Sequence, residues 1–189
     1  MIKAVIFDCF GVLVQGTFGA FREKHFPGDE IKIRRMQELD DLASRGHMTH
    51  LEFVAELAGL AGISEEQVTR ETNKNPPNEK LFAYIEQKLR GTYKIGLLSN
   101  AAENWLSDLF TEDQRRLFDN VVLSCEVSLA KPDARIFEIA ADRLQMLPAE
   151  CIFVDDSARY CTGAETVGMK TICYKDFAQF EQDLPNLLQ

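Results

Sequence analysis

The chain has 189 residues, of which 46% are hydrophobic and 27% charged, as expected for one folded domain or a core with one large insertion. Its 21 basic and 30 acidic residues give a net charge of −9, which argues against general binding to nucleic acid or to acidic membranes. No apolar run approaches the ~20 residues that a membrane span needs. The five cysteines are scattered and include no C-x-x-C pair, so we expect reduced thiols in a cytoplasmic protein.

Five short and almost continuously apolar runs predict β-strands with both faces covered. The segments between the last four runs carry apolar residues at helical spacing. Strands that alternate with helices in this way are typical of a parallel, Rossmann-like α/β sheet. The predicted strands are residues 4–7, 95–98, 121–123, 151–154 and 171–174.

The region between the first two strands shows no convincing strand run and predicts a helical insertion. Thr49 with Glu52, and Ser64 with Gln67, have the spacing of capping boxes. An apolar stripe at helical spacing follows the predicted helix start at Thr49; it consists of Leu51, Val54, Leu57 and Ala58. Asn78, after the Pro76-Pro77 linker, is expected to cap the next helix. We therefore predict an α/β core at residues 1–15 and 79–189 and a helical insertion at residues 16–78.

Polar residues follow four of the predicted strands. In a parallel α/β sheet the crevice at the carboxyl ends of the strands holds the ligand, so these residues are expected to meet there. The crevice would hold three carboxylates, one ammonium and one hydroxyl. They come from Asp8, Ser99-Asn100, Lys131 and Asp155-Asp156.

This set of side chains predicts Mg²⁺-assisted phosphoryl transfer. Carboxylates held close together repel each other unless a cation neutralises them, and oxygen ligands suit Mg²⁺. Lys131 adds a point charge that suits phosphate, and Ser99 can donate a hydrogen bond to a phosphate oxygen. Asp8, on the first strand, is the best placed carboxylate nucleophile.

Four segments, in this order, resemble the motifs of the haloacid dehalogenase (HAD) superfamily. The resemblance covers the whole chain, because the helical insertion lies where this superfamily places its type 1 cap, a small helical bundle. The segments are V-I-F-D-x-x-G-V-L at 5–13, L-S-N at 98–100, K-P-D at 131–133 and V-D-D-S at 154–157.

The resemblance implies a role for each matched position. Asp8 would be both nucleophile and metal ligand, and the backbone carbonyl of Phe10 would be a second ligand. Asp156 would bind Mg²⁺ directly, with Asp155 in support through water. Phosphate or substrate would be held by Phe10, Gly11, Ser99, Asn100 and Lys131, with Asn100 near the leaving group. The expected activity is the hydrolysis of a small phosphate ester by a monomer or homodimer.

The chain departs from the phosphatase pattern at Phe10. Phosphatases of the superfamily carry there a second aspartate, which protonates the leaving alcohol and activates water, and Phe10 can do neither. The haloacid dehalogenase branch carries an aromatic residue at this position, but that branch lacks the Asp155-Asp156 pair. Three hypotheses follow: a phosphatase, a 2-haloacid dehalogenase-like hydrolase that uses Asp8, and a catalytically impaired protein with a binding or regulatory role.

Cysteine, histidine and tryptophan residues could also suggest functional sites, but here we expect structural roles for them. Cys9 should point away from the Asp8 side chain along an extended strand, so we expect a core thiol. His47 and His50 have metal-like spacing without an evident third ligand and are interpreted as surface loop residues. Trp105 is expected in the core.

Overall fold

The computed structural model of the protein describes residues 1–188 and contains one sheet of five parallel strands. Its spatial order is β3-β2-β1-β4-β5, so the first strand lies at the centre. All five predicted strands are confirmed, and β2 and β4 each continue one residue further, to Ser99 and Asp155. The strands are β1 (Ala4–Phe7), β2 (Lys94–Ser99), β3 (Asn120–Leu123), β4 (Cys151–Asp155) and β5 (Lys170–Cys173).

Helices connect the strands and cover both faces of the sheet, which confirms the predicted α/β fold class. The first of the core helices, α5, continues as a π-helical segment at Ile85–Leu89. Within residues 1–188, no helix has both the length and the apolar character that a membrane crossing requires. The helices are α1 (Phe18–His25), α2 (Glu30–Ser44), α3 (His50–Ala61), α4 (Glu65–Thr72), α5 (Glu79–Tyr84), α6 (Leu106–Leu109), α7 (Glu112–Arg115), α8 (Ser124–Val127), α9 (Ala134–Arg143), α10 (Ala158–Thr166) and α11 (Phe177–Leu188).

The central strand β1 is completely buried because consecutive side chains enter two different apolar clusters. Val5 and Phe7 point to the cluster that contains α5 and α11, where Phe7 packs against Phe180. Ala4 and Ile6 point to the opposite cluster, with α9 and α10. Burying a side chain such as Phe7 contributes about 2–3 kcal/mol, so the strand that carries Asp8 is rigidly held.

The inserted helices α1–α4 form an apolar cluster of their own, which includes Phe21, Leu39 and Leu57. Thr49 and Glu52 form the predicted capping box of α3, and Ser64 caps α4 by accepting a hydrogen bond from the Gln67 amide. The separate cluster supports the division into residues 16–78 and the core, which we retain as a proposal.

One detail of the predicted helical stripe is wrong. Leu51 is 77% exposed, whereas Val54, Leu57 and Ala58 are buried. Leu51 lies in the first turn of α3 and is exposed to solvent. The apolar face of α3 therefore begins with Phe53.

Two antiparallel segments join the insertion to the core. Val14 pairs with Pro77, and the Asn78 amide donates a 2.8 Å hydrogen bond to the Leu13 carbonyl. Asn78 also caps α5, as predicted, by accepting a hydrogen bond from the Leu81 amide. The entry and exit of the inserted helices are thereby fixed beside the end of β1.

Candidate active site

A cleft of about 480 Å³ opens at the carboxyl ends of the strands. It lies at the point where strand order reverses, between β1 and β4, because the chain fills one side of the sheet before it crosses to the other. The inserted helices contribute its far wall through α2 and α3. Six of the predicted site residues line it: Asp8, Phe10, Ser99, Asn100, Lys131 and Asp156.

A buried ion cluster forms the floor of the cleft. The Lys131 ammonium donates hydrogen bonds of 2.6 Å to an Asp8 oxygen and of 2.6 Å to an Asp155 oxygen. The second Asp155 oxygen accepts a 2.8 Å hydrogen bond from the Ser157 amide at the start of α10. Both Asp155 oxygens are therefore occupied, so this side chain positions Lys131 and does not face the cleft.

Burial dominates the electrostatics of this cluster. It raises the pKa of Asp8 to about 7, with Lys131 opposing the increase and Asp155 and Asp156 adding to it. Burial alone would lower the pKa of Lys131, but the charges of Asp155 and Asp8 raise it above its usual range. Burial, and then the charge of Asp155, also raises the pKa of Asp156. The group therefore favours an additional cation.

The residues fit a divalent metal ion. Asp8, Asp155 and Asp156 each have a carboxylate oxygen within 4.8 Å of the other two. When all three carboxylates are ionised, the single Lys131 ammonium leaves two negative charges unbalanced. Within residues 1–188, the Phe10 carbonyl accepts no hydrogen bond and is free to act as a ligand. Asp8, Asp156 and the Phe10 carbonyl form an oxygen-only donor set that matches the preference of Mg²⁺, with Asp155 beside them.

Gly11 lies behind Asp156 and does not line the cleft. Its backbone has a φ of 91°, a region that favours glycine. A Cβ at this position would lie 2.3 Å from an Asp156 oxygen. The structure thus places Gly11 where it leaves room for the Asp156 carboxylate, while contact with phosphate stays a prediction.

Ser99 ends β2, Asn100 follows it, and the Asn100 side chain contacts the Lys131 backbone. The Asn100 side chain accepts a 2.8 Å hydrogen bond from the Lys131 amide and donates one of 3.2 Å to the Lys131 carbonyl. These two bonds fix the backbone from which the Lys131 side chain enters the floor. The Ser99 hydroxyl, which is nearly buried, donates only a long 3.2 Å bond to the Asn100 carbonyl and can turn toward a ligand.

Phe10 and Trp105 form an aromatic wall on one side of Asp8. Their ring centroids are 5.1 Å apart in an edge-to-face arrangement. Trp105 also lies 6.3 Å from Phe110, a core residue. The expectation that Trp105 is a core residue is therefore incomplete, because its side chain also faces the cleft.

Several residues that were not predicted from the sequence also line the cleft, among them Tyr160, Asp40 and His50. Tyr160 places its ring 4.8 Å from the Lys131 ammonium and its hydroxyl 3.4 Å from the Asn100 amide group. Its position four residues after Asp156, in the first turn of the next helix, was a usable signal. Asp40 and His50 come from the inserted helices, and nothing in the sequence indicates that they line the same cleft as Asp8. The interpretation of His50 as a surface loop residue is wrong, because it begins α3 and lines the cleft.

Comparisons with known proteins agree with the resemblance that the four sequence motifs indicate. The sequence profile of haloacid dehalogenase-like hydrolases matches residues 2–168. The chain belongs to this family. The resemblance drawn from the four motifs is thereby confirmed, together with the hydrolase class and the HAD-like core.

Among its relatives, acyl-CoA dehydrogenase family member 10 of Mus musculus is 30% identical over 90% of this chain, which spans only 18% of that protein. D-ribitol-5-phosphate phosphatase of Bacteroides thetaiotaomicron is 26% identical and is covered over 99% of its length, with 100% of this chain. A HAD family enzyme from the same bacterium, solved in complex with magnesium and inorganic phosphate, is 25% identical. It superimposes with a TM-score of 0.71 over 95% of this chain and 99% of the other.

Proposed function

We propose that this HAD-like hydrolase is a Mg²⁺-dependent phosphatase of a small phosphorylated metabolite, with Asp8 as the nucleophile. The observation that carries the proposal is the buried cluster of Asp8, Lys131 and Asp155 beside Asp156, because its unbalanced charge suits a divalent cation and phosphate. A relative named as a phosphatase and a neighbour structure that binds magnesium and phosphate support it.

The residues of the cleft floor divide the chemistry between them. One Asp8 oxygen attacks phosphorus, so an Asp8–O–P bond forms while the P–O bond to the alcohol breaks. The other Asp8 oxygen is held by Lys131, which orients the nucleophile. Two of the three Lys131 N–H donors are used, and the third can bind a phosphoryl oxygen together with the Ser99 hydroxyl.

Water completes the reaction. It attacks phosphorus, breaks the Asp8–O–P bond and releases inorganic phosphate, so that Asp8 returns as a carboxylate. A Mg²⁺ ion bound by Asp8, Asp156 and the Phe10 carbonyl would supply positive charge to the phosphoryl oxygens. Asp155 would act through Lys131 and the Ser157 amide.

Phe10 leaves the alcohol without a proton donor at the usual position. Loss of general acid–base help typically costs a factor of roughly 10² to 10⁴. We therefore expect a preference for esters whose alcohol departs readily or receives its proton from water. The packed rings of Phe10 and Trp105 also exclude water from one side of Asp8. The lower local dielectric strengthens the electrostatic interactions of the ion cluster on the cleft floor.

The same Phe10 supports a second candidate, a 2-haloacid dehalogenase-like activity. A halide leaves without protonation, so displacement of halide from carbon by Asp8 would need no acid at position 10. The acidic pair Asp155-Asp156 argues for the phosphatase, because that activity requires a cation and halide displacement does not.

A paired assay distinguishes these candidates. We would measure phosphate release from p-nitrophenyl phosphate and chloride release from 2-chloropropionate, each with Mg²⁺ and with chelator, for the wild type and Phe10→Asp. Metal-dependent phosphate release is expected from the wild type, because p-nitrophenolate departs without a proton donor, and Phe10→Asp should be at least as fast. Chloride release that a chelator does not inhibit would favour the second candidate. If neither the wild type nor Phe10→Asp releases phosphate or chloride, enzymatic activity would be contradicted.

We also infer a cytoplasmic location and a small-molecule substrate. All five cysteines are free among residues 1–188, and three of them, Cys9, Cys151 and Cys161, are buried. Burial raises the pKa of the Cys9 thiol well above its usual value, as expected for an inert core residue. A cleft of about 480 Å³ suits a small metabolite and not a macromolecule.

A further inference from the structure

The wall of the cleft beyond the floor is acidic. Asp40, Glu103 and Asp108 line it, and among the described residues that line the cleft only Lys131 and His50 are basic. Lys131 already contacts two carboxylates, and His50 lies 3.8 Å from Glu103. The part of the cleft that receives the alcohol therefore holds more negative than positive charge, even when a divalent cation and phosphate are bound on the floor.

Asp40 is the acidic residue whose surroundings are most informative. It lies on α2 and is exposed to solvent at the cleft, and its side chain forms no hydrogen bond or ion pair with any residue in the range 1–188. Burial by the surrounding protein, and then the charge of Asp41, raise the pKa of Asp40 to about 6. At neutral pH it therefore carries a negative charge, and among residues 1–188 no cationic side chain lies within ion-pair distance of it.

Aromatic rings complete the same wall. Phe18 and Phe53 of the inserted helices lie with ring centroids 5.8 Å apart, and Phe10 and Trp105 face the cleft from the core. Aromatic faces attract cations and contact short carbon chains, whereas the negative potential of a ring face disfavours an anion. Carboxylates next to aromatic rings are the surroundings that protein sites use for ammonium groups.

We propose that the substrates are phosphate monoesters of amino alcohols, whose ammonium group binds between Asp40 and the aromatic wall while the phosphate binds on the floor. This inference rests on the proposed phosphatase function and names its substrate class. An alcohol that carries a carboxylate or a second phosphate would face Asp40, Glu103 and Asp108 and be repelled.

Three esters of the same length test the charge of the alcohol. O-phosphoethanolamine, 2-hydroxyethyl phosphate and 2-phosphoglycolate differ mainly in a terminal ammonium, hydroxyl or carboxylate. We expect kcat/KM to fall in that order, by about tenfold for each step, as expected for one partly solvated charge pair. Equal values, or a preference for the hydroxyl or carboxylate ester, would overturn the inference.

Variants separate the acidic wall from the overall charge of the protein. Asp40→Asn should reduce the preference for O-phosphoethanolamine over 2-hydroxyethyl phosphate by about threefold to tenfold. The control Asp113→Asn makes the same charge change at a side chain that is 95% exposed and does not line the cleft. This variant should prefer O-phosphoethanolamine over 2-hydroxyethyl phosphate as strongly as the wild type does. An unchanged preference in Asp40→Asn, Glu103→Gln and Asp108→Asn would also overturn the inference.

One further substrate distinguishes the two possible failures. If p-nitrophenyl phosphate is hydrolysed with Mg²⁺ but the three esters show no preference for the ammonium group, the substrate class is wrong and the phosphatase function stands. If no phosphate is released from any of the four esters by the wild type or by Phe10→Asp, the proposed function fails and the substrate class falls with it.

Discussion

At Gly11, backbone conformation and available space both require glycine. The φ of 91° strains any residue with a Cβ, and that Cβ would lie 2.3 Å from an Asp156 oxygen. We expect Gly11→Ala to lose about 1–3 kcal/mol of stability from the backbone and to displace Asp156 as well. Mg²⁺ binding followed by calorimetry should weaken at least tenfold, and phosphate release should fall with it.

Gly168→Ala is the matched control for that substitution. Gly168 has the same φ of 91°, but a Cβ there would meet open space. Both variants should therefore lose a similar amount of stability in urea unfolding, whereas only Gly11→Ala should lose Mg²⁺ affinity. Equal loss of Mg²⁺ affinity in the two variants would show that Gly11 does not position Asp156.

The two neighbouring aspartates should respond differently to neutralisation. Asp155 is fully buried with both oxygens bonded, so Asp155→Asn places an amide against the Lys131 ammonium and should cost about 3 kcal/mol. Asp156 is exposed in the cleft and its charge is disfavoured by its surroundings, so Asp156→Asn should not lower the melting temperature while it removes Mg²⁺ binding. Thermal unfolding and Mg²⁺ titration of both variants test these different roles. An Asp155→Asn variant that keeps the wild-type melting temperature would contradict the buried role of Asp155.

At the scale of the element, α2 carries a destabilising charge into the cleft. The folded protein raises the pKa of Asp40 from 3.8 to about 6, so its charged form is disfavoured by folding. This penalty is absent below about pH 4, where Asp40 is protonated in both states, and is complete above about pH 6. Asp40→Asn should therefore melt at a higher temperature than the wild type at pH 7.5, and the difference should vanish near pH 4.

The net charge of the protein calls for a control in that measurement. Because the chain carries a net charge of −9, removal of any carboxylate relieves some repulsion. Asp113→Asn reports this general effect at an exposed site. If Asp40→Asn and Asp113→Asn raise the melting temperature equally at pH 7.5, the local penalty at Asp40 is absent.

Elements whose signals are local could be predicted from the sequence. The run at residues 4–7 matches β1 because a strand covered on both faces must be continuously apolar. The Thr49–Glu52 spacing marked the start of α3, since a capping box depends only on neighbouring residues. Leu51 was misplaced because the burial of a first-turn residue depends on what the rest of the chain packs against it.

At the scale of the whole molecule, the floor of the site was predictable and its wall was not. Asp8, Lys131 and the Asp155-Asp156 pair follow strands of a parallel sheet, so topology alone brings them to one edge. Asp40 and His50 reach the cleft through the packing of the inserted helices against the core, for which residue spacing gives no signal. That packing is fixed partly by contacts such as the Ser124 hydroxyl donating to the Ser44 carbonyl at the end of α2.

The central claim concerns Asp8 at a metal-dependent site. We would measure the initial rate of phosphate release from p-nitrophenyl phosphate for the wild type with Mg²⁺, the wild type with chelator, and Asp8→Asn with Mg²⁺. Folding of Asp8→Asn would be checked by circular dichroism and thermal unfolding. We predict release only by the Mg²⁺-loaded wild type, with a loss of at least 10³-fold in Asp8→Asn, because the carboxylate nucleophile is gone. A folded Asp8→Asn that retains the wild-type rate would contradict this prediction.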